Sequence, residues 1–296
     1  MNPALFEHTL GASLFAGLVA VGATRAIERW GSTLGGVLAT LPTTIVPASI
    51  GIASQTLMDG RFRAAMAAIP FGMALNAGFL AIWATAPAWL PARVGGRRRL
   101  AVLLGISLSA WGLGAAGLAV ALPYAAGHPI GLLAAAIAMN TLIAAGGWTV
   151  SAGVGRPTAA AQSVPAAALV GRGLLAAGAV ATAVLLSAWA SPTIAAMAAV
   201  FPAIFLTTMV SLWLSQGEAV PTRAAGPMML GSASVGAYAL LAGALFPAVG
   251  IGLGAPLAWL GAITLVTGPA AWLLGRRGAV APRSAPAPGA PAPPRS

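Results

Sequence analysis

The sequence has no cysteine and no lysine, only 4 acidic residues, 2 histidines and 6% aromatic residues. Each shortage removes a class of chemistry. Without cysteine there are no disulfides, thiolate metal sites or thiol nucleophiles. Without lysine there is no phosphate-cradling loop of the G-x-x-x-x-G-K type. A Ser-His-Asp constellation would have to recruit His8 or His128, with Asp59 the one acidic residue placed on their side. That absence of paired groups predicts that the chain is not an enzyme. The same two histidines lack the companions that zinc or haem requires, so no metal and no cofactor is expected. The acidic residues Glu7, Glu28, Asp59 and Glu218 all fall at the ends of apolar runs. A buried carboxylate of the kind many proton-coupled carriers use is therefore missing.

What remains is apolar and small. Hydrophobic residues make up 59% of the chain, charged residues 6%, and mean hydropathy is +0.91, with 38 glycines among abundant alanine. Such a chain cannot have water as its main solvent, and its small side chains let helix backbones approach closely in lipid. The period-two alternation of a transmembrane barrel is absent, which leaves an all-α membrane protein. The net charge of +11 comes from 15 arginines lying between apolar runs. That distribution points to membrane insertion rather than to nucleic acid.

A bilayer core requires about 20 mostly apolar residues per helix. Nine stretches qualify: Leu5 to Thr24, Thr33 to Gln55, Ala64 to Leu90, Leu100 to Leu122, Ile130 to Ala152, Ala166 to Ala190, Thr193 to Ser215, Ala224 to Phe246 and Ile251 to Leu274. Assigning the connections alternately to two sides gives thirteen arginines on one side and only Arg61 and Arg63 on the other. The positive-inside rule then puts the N-terminus outside and the C-terminus inside. Residues 1–8 carry no Lys or Arg, so no removable signal peptide is expected. The Pro/Ala-rich tail 279–296 has too little apolar bulk for a core and is expected to be disordered.

Shifting the sequence by 160 residues pairs Thr33 with Thr193, Pro42 with Pro202, Arg63-Ala64 with Arg223-Ala224, and Pro87 with Pro247. A one-residue adjustment brings Ser54-Gln55 onto Ser215-Gln216. The chain therefore divides into a four-helix unit, 1–124, a linker helix and loop, 125–165, a second four-helix unit, 166–278, and the tail. An odd number of helices between equivalents reverses membrane direction, so this 4+1+4 arrangement implies inverted repeats.

The stretch from Phe201-Pro202 through Ser215, Gly217, Arg223 and Ala224 resembles the GlpM-like family, small inner-membrane proteins of about four helices. In that family a proline-broken helix leads into a short Ser/Gly loop and an Arg-Ala start. Leu41-Pro42 through Ser54-Gln55 to Arg63-Ala64 resembles it more loosely, with Leu41 in place of the Phe. The resemblance implies the architecture and a bacterial inner (plasma) membrane rather than a substrate.

Pro42 and Pro47, near mid-membrane, cannot donate to the carbonyls of Leu38 and Thr43, and Pro202 leaves that of Ala198 free. Such helix breaks need other partners, which a cation, water or substrate hydroxyl can supply. Paired proline breaks in two inverted halves point to a transporter site. The candidate substrate-binding residues are Thr43, Thr44, Ser49, Asn76, Asn140, Thr207, Thr208 and Ser211. The competing reading is packing kinks whose backbone Ser and Thr satisfy themselves, with the asparagines bonding between helices. Arg172 lies inside a span within snorkelling reach of its end; the alternative is an anion contact in an inward-open cavity.

The leading expectation is a transporter or permease for a small, neutral or weakly polar solute, with substrate unknown and alternating access between the two halves. The alternative is a non-transporting subunit that assembles or stabilises a cell-envelope complex. Expected partners are the lipid bilayer and a small-molecule solute, with no nucleic acid; a homodimer is compatible with the small-residue faces. Reporters fused to the two ends are expected on opposite sides of the membrane, and finding both on one side would refute nine spans.

Overall fold

The computed structural model describes residues 41–42, 45–57, 61–91, 95–152, 166–189 and 200–280, with ten further helical residues between 10 and 25. All regular elements among them are helices. They are α1 (Ile45–Thr56), α2 (Arg61–Trp89), α3 (Gly96–Ala125), α4 (Pro129–Ala152), α5 (Ala166–Trp189), α6 (Ala203–Gln216) and α7 (Ala219–Ala262). A π-helical turn, Ile263–Thr267, then leads into α8 (Gly268–Val280). Four of the described helical segments, Arg61–Trp89, Gly96–Ala125, Pro129–Ala152 and Ala219–Arg276, are long and apolar enough to cross a membrane.

The boundaries follow local chemistry. α4 opens on Pro129, which needs no N–H partner in the first turn. α6 begins directly after Pro202 and ends at Gly217, whose φ of 79° is open to glycine and whose N–H returns to the Trp213 carbonyl. Pro47 is the third described residue of α1, and Thr43 and Thr44, which precede that helix, lie outside the described residues. Pro42 lies in a turn ahead of α1, and the Val200-Phe201-Pro202 segment before α6 is likewise non-helical.

The core is the antiparallel packing of α2, α4 and α7. Phe62 stacks on Phe246 at 5.1 Å between ring centroids, Met66 meets Gly243, and Pro70 meets Gly236, so α2 and α7 run in opposite directions. Ser151 faces Gly226, Gly147 faces Leu230, and Asn140 faces Gly236, which fixes α4 antiparallel to α7 in the same way. At these crossings the backbones nearly touch. A Cβ on Gly226 would lie 2.7 Å from the Ser151 nitrogen, and one on Gly147 would lie 2.6 Å from the Leu230 Cα. Without water to drive association, such close approach and its dispersion contacts hold helices together. The outward faces also carry large apolar side chains: Ile130 is 85% exposed and Leu113 77% exposed. Such apolar exposure suits a hydrocarbon solvent and would be costly in water.

The 44 residues of α7 are not one rod. At 1.5 Å per residue, a straight helix would place Leu230 and Leu274 more than about 60 Å apart. They share one buried cluster with Ala270. The chain reverses at Gly250, whose φ of 79° and ψ of 165° are open to glycine alone. The returning limb packs Gly261 against Leu241 and Gly254 against Phe246. α2 and α3 form a similar hairpin, with Gly114 seated against Leu75.

Gly147→Ala is expected to force α4 and α7 apart and to cost about 1 to 3 kcal/mol. Gly112→Ala, on α3 where a Cβ meets nothing within 4 Å, is expected to cost nothing. Unfolding in detergent by heat or denaturant compares the two directly.

Candidate functional site

The polar side chains within the bundle fall into three groups. The first clamps the break before α6. The Val200 carbonyl accepts a hydrogen bond from Asn76 Nδ2 at 2.8 Å, and Asn76 Oδ1 accepts one from Trp111 Nε1 at 2.8 Å. Trp111 also sets its ring edge-on to Phe201, 5.2 Å between centroids. A backbone carbonyl at an interrupted helix in a bilayer must find a donor, and α2 supplies it through a buried asparagine that α3 in turn satisfies. Asn76 is thus a structural residue that pins α6 to α2 and α3.

The second group joins α1 to α7. The Ser49 and Tyr238 hydroxyls lie 2.8 Å apart, both buried, and Ser49 also reaches the Val46 carbonyl at 2.8 Å. Both oxygens are satisfied within the protein. The third runs along α6, where Thr207, Ser211 and Ser215 recur every fourth residue and share one face. They border a groove of about 590 Å³ between α3, α5 and α6, otherwise lined by Leu104, Leu108, Gly171, Leu175, Leu206, Val210 and Leu214. Thr207 and Ser215 donate to the carbonyls of Ala203 and Ser211, each at 2.7 Å, so their hydroxyls are turned back onto their own helix. Thr208, on the adjoining face, is buried.

Asn140 stands apart from all three. Its Oδ1 is enclosed and has no hydrogen-bond partner. It abuts Gly236 of α7, beside Pro70 of α2, where all three core helices meet. A side chain at Gly236 would occupy the space that the amide fills. One to two helical turns away, about 5 to 10 Å, begins a cavity of about 790 Å³. Met66, Ala67, Leu132, Leu133, Ala239 and Gly243 line its inner part, and Arg61 and Arg63 stand at its edge. The Asn140 oxygen is thus a buried acceptor without a partner at the junction, one to two helical turns from a cavity lined in part by Arg61 and Arg63. An amide oxygen left unpaired in a low-dielectric setting costs about 1 to 3 kcal/mol, which a hydrogen-bond donor from water or solute would offset.

The expected site residues are therefore distributed rather than convergent. Thr207 and Ser211 share the groove, Ser49 and Asn76 serve separate contacts, and Asn140 faces the core junction. Thr43 and Thr44 lie outside the described residues, as does the side chain of Arg172. Tyr238, Trp111 and Ser215 were not among the expected residues. Tyr238 is one of 2 tyrosines and falls inside an apolar run, and Ser215 continues the four-residue spacing of Thr207 and Ser211, so both left a signal in the sequence. At the arginine-rich end Arg99 donates from Nε to Glu218 Oε1 at 2.9 Å, tying the start of α3 to the α6–α7 connection. No cluster of side chains suited to a metal ion occurs among the described residues.

Asn76→Ala is expected to leave the Val200 carbonyl and the Trp111 N–H unpaired and to lower stability by about 2 kcal/mol or more. Asn140→Ala removes an unpaired oxygen together with the packing of its amide; relief of the first offsets loss of the second, and the net change is expected to be less than about 1 kcal/mol. Chemical unfolding of both variants in detergent tests the contrast. Comparison of the chain with family models, with curated proteins and with solved structures yields no match.

Proposed function

We propose that this chain is a multi-pass inner-membrane transporter or permease that moves a small solute past Asn140, at the junction of α2, α4 and α7. The observation that carries this reading is the enclosed, unpartnered Asn140 oxygen, one to two helical turns from a cavity whose lining includes Arg61 and Arg63. A polar acceptor at the meeting point of the core helices suits a solute with a hydroxyl or amide donor, held by one hydrogen bond among apolar walls. The nine-span, N-out and C-in arrangement, with inverted halves, belongs to the same proposal. Several features support it. α2 and α7, equivalent under the 160-residue shift, cross antiparallel; Pro42 and Pro202 precede equivalent short helices; and the Arg99–Glu218 pair joins two connections assigned to one side. The GlpM-like resemblance remains part of this proposal.

A second reading, a non-transporting subunit of an envelope complex, is favoured by one feature. Gly105, Ser109, Gly112 and Ala116 form an exposed stripe of small residues along α3, with open space at both glycines. Such a stripe suits a partner helix.

Metabolite profiles of cells lacking the protein separate the two. The transport reading expects one solute to accumulate or disappear, and Asn140→Ala, at normal protein level, to reproduce that change by at least about tenfold loss of rate. An unchanged profile would count against transport and for the subunit.

A further inference from the structure

The groove along α6 lies on a face of α3 whose first turn carries arginines that transport through the core does not use. Three arginines open α3, and they divide by function. Arg99 turns inward and holds Glu218, with its Nη2 2.8 Å from Oε1 and its Nη1 donating to the Pro91 carbonyl at 3.2 Å. Arg97 and Arg98 are exposed and make no hydrogen bond or ion pair with any described residue. Since the Glu218 carboxylate is committed to Arg99, these two guanidinium groups face no competing anion from it.

Arg97 also shares a helical face with the groove. Leu104 and Leu108, the two α3 residues that line it, stand seven and eleven positions further on, spacings that return to the same side of a helix. Arg97 therefore lies below the groove, about 10 Å from Leu104 and about 16 Å from Leu108 along the axis. That span is close to one leaflet's share of a hydrocarbon core about 30 Å thick. The walls are leucine and valine, and the hydroxyls of Thr207 and Ser215 bond their own backbone, so the groove offers almost only hydrocarbon to its occupant. Leu175 and Leu214 at its sides are 57% and 66% exposed, so among the described residues it opens laterally rather than into the core.

We propose that this groove is a site for one anionic phospholipid, with an acyl chain laid between α3, α5 and α6 and its headgroup on Arg97 and Arg98. The apolar walls set the chain, and the two unpaired cations set the headgroup. A neutral solute would leave both guanidinium groups unused, and a free phosphate would leave the groove empty. The inference rests on these helices crossing a bilayer and is independent of whether Asn140 carries a solute.

Native mass spectrometry of the full chain in detergent, titrated with phosphatidylglycerol and with phosphatidylcholine of identical acyl chains, tests it. Phosphatidylglycerol is expected to bind about tenfold more tightly, in line with two basic residues near an anionic headgroup. The double variant Arg97→Gln/Arg98→Gln, confined to exposed side chains, is expected to abolish that preference while leaving basal binding. Leu108→Trp, which fills the groove, is expected to weaken both lipids, and glycerol phosphate without acyl chains is expected not to compete. Equal binding of the two lipids by the unaltered chain, an unchanged preference in the arginine variant, or full competition by glycerol phosphate would overturn the proposal.

Discussion

The close approach of α7 to α2 and α4 is the constraint on which the rest of the structure depends. In lipid no hydrophobic effect drives one apolar helix against another, so contact must come from backbones that can come near. Gly147 on α4, and Gly226, Gly236 and Gly243 on α7, occupy positions where an added Cβ would press on the facing helix. The depth of the Asn140 contact and the hairpin at Gly250 both follow from that packing. Large side chains fill the space beside these contacts, with Phe62, Phe79, Trp83, Tyr238 and Phe246 all buried.

Once the helices are that close, polar groups must be matched individually, because an unpaired one in a medium without water is costly. Most of the bundle meets this demand internally. Asn76 joins a broken backbone to Trp111, Ser49 joins Tyr238, and hydroxyls on α6 return to carbonyls four residues back. The exceptions carry the functional information. Asn140 Oδ1 is without a partner at the junction of the three core helices, one to two turns from the cavity lined by Met66, Leu133 and Ala239; Trp83, Gln216 and Thr267 also hold buried polar atoms without a partner, away from that junction. The fold thus satisfies both ends of the Asn76 amide and leaves the Asn140 oxygen without a partner.

Long apolar runs made α2 to α5 legible to within a few residues, since length and hydrophobicity are local properties. Pro42 and Pro202 stand in non-helical segments ahead of α1 and α6, while Thr43, whose carbonyl Pro47 was expected to leave free, lies outside the described residues. Other features were hidden for a physical reason. With 38 glycines in the chain, nothing local distinguishes Gly147 or Gly236, which sit at a crossing, from Gly112, which faces open space. Two spans were expected in Ala224 to Phe246 and Ile251 to Leu274, but the residue that reverses the chain between them is identified by its φ alone. The expected substrate residues were chosen by depth, and depth does not say which side of a helix a residue faces. Ser49, Asn76, Asn140 and Thr207 consequently separate onto different contacts.

A solute path at the core junction requires the Asn140 position to communicate with the Arg61/Arg63 end. Because the natural chain has no cysteine, Asn140→Cys provides a single thiol without other changes. A small, membrane-impermeant thiol reagent added from the Arg61/Arg63 side of sealed vesicles is predicted to label it. A Cys introduced at the satisfied, buried Asn76 position is predicted to stay unlabelled under the same conditions. Failure to label position 140 in folded protein would show a dry, closed core and contradict a solute path at the junction.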